Sequence, residues 1–143
     1  MRWHYHRHHH RHIRVALIVN GEFAVELTPN GVIHMAATIN VGQTLPLSIA
    51  YLDQGGQPMA STPFADAPPA WSHTDATVSD LTAAADGNTA SVVGLASGAD
   101  TITLSVLVGG KSFNATLSLT VAAVMPPPQV LTSIEIVADT PSL

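Results

Sequence analysis

Six of the first twelve residues are histidine: His4, His6, His8, His9, His10 and His12. Imidazole binds nickel, copper and zinc, so the segment invites a reading as a metal site. Its surroundings argue otherwise. No carboxylate stands before Glu22, and Arg2, Arg7, Arg11 and Arg14 add positive charge beside any ion. A working zinc site also needs ligands fixed by regular structure and an outer shell of hydrogen bonds. No metal and no other cofactor is therefore expected. Basic residues with interleaved aromatics, here Trp3 and Tyr5, suit two other roles. They can pair phosphates and stack bases of a nucleic acid. They can also anchor a protein interface, where arginine and aromatic rings are enriched.

Other chemistry-bearing types are scattered. Ser72, His73 and Asp75 are close in "WSHTD". On a strand, neighbours point to opposite faces, so Ser72 and His73 cannot form a nucleophile–base pair there. The chain lacks a G-x-S-x-G elbow, a P-loop and a dinucleotide fingerprint. Asp75, Asp80, Asp86 and Asp100 fall in turn-like stretches without a D-x-D-x-D run, and read as solvated turn residues rather than calcium ligands. His34 stands alone in an apolar run and reads as a partnered or edge residue. No catalytic residue is assigned, and no enzymatic activity is expected.

The composition restricts the fold that must position these groups. Charged residues are 10% of the 143, hydrophobic residues 46%, and cysteine is absent. Few charges with abundant Thr, Ser and Val suit β-structure better than helix surfaces. The length matches about one domain. Without cysteine there is no disulfide framework and no thiolate chemistry. No run reaches the ~20 apolar residues of a membrane helix, so no membrane insertion is expected. "IRVALIV" is a short apolar run that leads into a turn, unlike a cleaved signal peptide. Charge is unevenly placed. Residues 1–14 hold four arginines and no acid, +4, and the remainder holds one lysine and ten acids, −9. Such a basic end suits an anionic partner, including the acidic body of another copy.

Punctuation along the chain predicts strands. Asn20-Gly21 between two branched runs marks a hairpin of strands at 13–19 and 22–27. Further strands are expected at 32–39, 44–53, 77–81, 89–95, 101–108 and 112–121. Within them Leu45, Leu47, Ile49 and Tyr51 share one face, as do Ile102, Leu104, Val106 and Val108, and Phe113, Ala115, Leu117, Leu119 and Val121. Pro46 should lie at an edge or near a strand start. Residues 54–69 form a long Gly/Pro-rich connection, 83–88 a turn around Asp86-Gly87, and 96–100 a turn. "MPPPQ" at 125–129 is a stiff linker. Beyond it Leu131, Ser133, Glu135 and Val137 alternate with Thr132, Ile134, Ile136 and Ala138, a strand without a nearby partner.

Residues about 36–121 resemble the bacterial immunoglobulin-like domain, group 2 type. The resemblance lies in "INVGQTLPLSIAYLD", "PAWSHTDATVSDL", "GNTASVVGLASGADTITLSV" and "KSFNATLSLTV". It implies a β-sandwich with Trp71 as core tryptophan and Gly94 and Gly98 as turn glycines before the penultimate strand. It also implies an extracellular or virion-surface module without catalytic residues. The insertion at 54–69 and the hairpin at 13–27 depart from the family pattern.

The expected architecture is therefore all-β. It comprises a His/Arg-rich arm (1–12), a hairpin extension (13–31), an Ig-like sandwich (32–124) and a Pro-rich linker with a strand tail (125–143). The expected core includes Trp71, Ile102, Leu104, Val106, Phe113, Leu117 and Leu119. The expected role is structural: a bacteriophage virion component, as capsid decoration, cement or head–tail accessory, assembling through its terminal arms. Arg2, Trp3, Tyr5, Arg7, Arg11 and Arg14 would anchor the arm, and Leu131, Ile134 and Ile136 would carry the tail strand. Its partners would be other copies of itself or a shell or tail protein. A bacterial cell-surface or secreted adhesin or filament module is the alternative. A metal- or nucleic-acid-binding protein that uses the arm is a further one.

Overall fold

The computed structural model describes residues 13–59 and 65–133. Nine strands form two sheets. They are β1 (Arg14–Val19), β2 (Glu22–Glu26), β3 (Val32–Asn40), β4 (Thr44–Leu52), β5 (Ala70–His73), β6 (Ser79–Ala83), β7 (Thr89–Gly94), β8 (Gly98–Val108) and β9 (Lys111–Ala122). One sheet has the order β2-β1-β4-β7-β6 and the other β3-β9-β8-β5. The sub-orders β1-β4-β7-β6 and β5-β8-β9 reproduce the two-sheet order of an immunoglobulin-like sandwich.

Turn chemistry builds the hairpins. Asn20 and Gly21 both have positive φ (54° and 76°), as do Gly109 and Gly110 (57° and 73°) between β8 and β9. Two consecutive left-handed residues give the type I′ turn, whose twist matches that of the flanking strands. The predicted 13–27 hairpin is present, and its first strand is continuous with the sandwich. β1 pairs antiparallel with β4 from Arg14↔Leu52 to Val19↔Leu47. Pro46 lies just past the end of that ladder, near the start of β4, where only its carbonyl is used, accepting from Asn20 N.

Alternation sets the core. Ile102, Leu104, Val106, Phe113, Leu117 and Leu119 are buried, and so are Val15, Leu17, Leu45 and Leu47 from the opposite sheet. At the seam, Leu17, Leu47, Trp71, Ile102, Ala115 and Leu117 meet without room for a water molecule. Trp71 is half-buried and packs against both halves of the core. It sits on the edge strand β5.

Two strand expectations need correction. The strand expected at 77–81 is β6 at Ser79–Ala83. Asp75 closes a turn ahead of it, its side chain accepting from Thr77 and its carbonyl from the Val78 and Ser79 amides. The 96–100 turn is shorter than expected, because β8 already begins at Gly98. Gly98 has no room for a side chain there, since an added Cβ would lie 2.8 Å from Val78 Cγ2.

Gly87 is the tightest backbone approach. Its φ is +72°, and a Cβ would lie 2.5 Å from the Pro69 carbonyl oxygen. Its own carbonyl accepts from Trp71 Nε1 at 2.8 Å. Gly87→Ala should therefore cost about 1–3 kcal/mol, through left-handed strain and displacement of the Pro69 backbone. Chemical denaturation checks this, and Gly21→Ala is the control for φ alone, because Gly21 has open space around it.

Candidate interaction ends and edges

The sandwich has two ends, and the chain uses one for each connection. β1 starts opposite Leu52, the last residue of β4. β9 finishes at Ala122, opposite Asn40, whose short turn leads into the first residue of β4. The exits are thus separated by the length of β4, roughly 26 Å at about 3.3 Å per residue. Residue 13 therefore lies at one end of the sandwich and residue 123 at the other.

Of the sequence-predicted arm residues, Arg2, Trp3, Tyr5, Arg7 and Arg11 lie outside the described residues, as do Ile134 and Ile136 of the tail. Arg14 is placed differently from the arm expectation. It is the first residue of β1, and its guanidinium forms an ion pair with Glu26 of β2, with Nε 2.6 Å from Oε1. The hydrogen bond from Arg14 holds the Glu26 carboxyl below its ordinary value. Both side chains are more than one-third exposed, so solvent screening keeps this pair weak, and it serves mainly to fix the edge strand. Leu131 is 76% exposed, and residues 123–133 form no strand and are exposed throughout.

The most organised polar cluster lies at the tail end of the sandwich, around Asp100 on β8. By type and neighbourhood Asp100 reads as a solvated turn residue, and the structure corrects this. Its side chain is fully buried. Oδ1 accepts from Thr74 N (3.0 Å), Thr74 Oγ1 (2.9 Å), Asp75 N (2.9 Å) and Thr101 N (2.7 Å). Oδ2 accepts from Ser79 Oγ at 2.5 Å and His73 Nδ1 at 2.9 Å. Burial alone would raise this carboxyl's pKa, but the bonds from Ser79, His73, Thr74 and Asp75 outweigh it and hold the group well below the carboxylate range. A signal for this burial was available. Asp100 has the same parity as Ile102, Leu104 and Val106, so extending the alternation one step places it inward.

This cluster pairs a histidine with a carboxylate but supplies no activated nucleophile. Ser79 Oγ bonds to Asp100, not to His73. Its effect is to tie β5, the 74–78 turn and β6 to β8. Among the described residues, no three His, Cys, Asp or Glu side chains are grouped to hold a metal. His34 is partnered, with Nδ1 2.6 Å from Thr116 Oγ1.

No family model and no curated protein matches the chain. Among solved structures, the chain is similar to domains 4 and 5 of the S-layer protein SbsC, at 17% identity and a TM-score of 0.42. The match covers 66% of this chain and 50% of that one, so the chain spans about half the length of that structure. Likeness at that level carries no argument about shared role, and the sandwich assignment rests on the strand pairing itself.

Proposed function

We propose that this chain is a non-enzymatic structural module of the group 2 immunoglobulin-like type. It joins its neighbours through its two ends in a bacterial surface or secreted assembly. The observation that carries this reading is the exit of the two connections from opposite ends of the sandwich. A module entered at one end and left at the other fits in series along a filament or layer. The buried Asp100 network supports the same reading, because it stiffens the end from which the tail departs. The sequence resemblance supports an extracellular setting.

A bacteriophage virion component is the second reading, and the charge contrast favours it. An arm of +3 over residues 1–12 can dock on the −8 body of a neighbour or on an acidic shell face. Both readings use the same contacts and differ in the partner.

Light scattering of the full chain over a salt series tests the shared mechanism. The expected mass exceeds the 14.9 kDa monomer at low salt and falls as salt rises, since exposed charges are screened beyond about 8 Å at physiological ionic strength. A monomer at every salt concentration contradicts self-association through the arm.

A further inference from the structure

The two sheets end in four edge strands, and three of them carry features that block edge-to-edge pairing. β2 has five residues, glutamates at both ends and a register shift opposite Leu17 and Ile18. β5 has four residues and follows Pro68-Pro69. β6 has five residues and includes Asp80. β3 differs. It runs nine residues, VIHMAATIN, without a carboxylate, lysine, arginine, proline or glycine, and among the described residues it pairs only with β9.

The inner face of β3 is also incompletely covered. Ile33, Met35 and Ala37 are half-buried, whereas their β9 register partners Ala115, Leu117 and Leu119 are at most 2% exposed. Sheet width gives the reason. Five strands face four, and the short connection from β2 to β3 puts both strands at the same side of the sandwich. One strand position beside β3 and opposite β2 is therefore vacant among the described residues.

We propose that this position is an acceptor for the segment 130–138 of a second copy. The inference rests on the series reading above and names its contact. The segment, VLTSIEIVA, is nine residues long, as β3 is. With Thr132, Ile134, Ile136 and Ala138 turned inward, it covers the apolar rim left by Ile33 and Met35. Ser133 and Glu135 then face solvent beside exposed Ala36. The acceptor is placed on a different copy because residues 130–133 of the segment are exposed and form no strand on their own sandwich. Residues 123–133 are exposed, and Pro126, Pro127 and Pro128 stiffen the departure. Backbone hydrogen bonds along β3 would provide the attraction, and the inward side chains the register.

The absence of cysteine makes a clean test possible. Full-length chains carrying Ala36→Cys are mixed with chains carrying Ser133→Cys or, separately, Glu135→Cys, and oxidised. Thr82→Cys on β6 is the control edge. Facing residues on paired strands have Cβ atoms about 4.5–5.5 Å apart, within reach of a disulfide after small adjustment. Pairing raises the effective thiol concentration to roughly mM, so the expected heterodimer exceeds the Thr82→Cys control by at least about tenfold. Equal yields at β3 and β6, or none at β3, overturn the proposal. So does closure of an Ala36→Cys/Ser133→Cys chain on itself at monomer mass. If cross-linking fails while salt-sensitive oligomers persist, the series reading stands and the β3 assignment falls.

Discussion

Asp100→Ala should lower folding stability by about 3–5 kcal/mol, among the largest effects expected of a single substitution in this protein. The loss comes from the partners left behind. Ser79 is fully buried and would lose its acceptor, and the Thr74 and Asp75 amides would lose theirs. Asp100→Asn should cost less, because its remaining oxygen still accepts from those amides, while its NH2 group faces Ser79 and His73 donors. The pH dependence separates ionisation from shape. The folded carboxyl is held below its ordinary 3.8, so ionisation stabilises the fold above that pH. This contribution is lost as pH falls toward the folded value, and the gap between the native chain and Asp100→Asn should narrow between about pH 4 and about pH 2. Urea denaturation at several pH values measures it. A constant gap would show that the carboxylate's charge plays no part.

Phe113→Ala should cost about 3–5 kcal/mol for a different reason, the cavity left by a large buried ring. Phe113 is 3% exposed and packs in the half of the core with Val15, Leu27, Leu104 and Val106. It also bridges Pro29, just after the hairpin, and faces Val106 on β8. Its removal should loosen the arm end of the sandwich most. Hydrogen exchange would show this as lost protection in β1 and β2 before β6 and β7. Uniform loss of protection would instead mean that the hairpin unfolds only with the whole domain.

Much of the fold was legible because its signals are local. Asn20-Gly21 and Gly109-Gly110 announce their hairpins by residue type, and strict alternation over 102–108 and 113–121 marks the buried face of the longest strands. Edge strands were harder to place. β6 is set by the Asp75 turn, whose hydrogen bonds shift its start by two residues from the apolar pattern. Asp100 was misread because its type suggests solvent, while its position in the alternation says core. The open edge that β3 has among the described residues was not legible at all. It depends on a parallel pairing between residues some eighty positions apart and on the unequal widths of two sheets, neither of which leaves a local signal. Arg14 shows the reverse error, since its basic neighbours grouped it with the arm while the hairpin register gives it to Glu26.

The proposed function places the action of this module at its ends rather than in a pocket within it. Sedimentation velocity at moderate salt, on the intact chain and on chains lacking residues 1–12 or 130–143, tests this most directly. A discrete oligomer or polymer is expected for the intact chain and smaller species for each truncation, with the body folded in all three. Identical monomers in all three would contradict it.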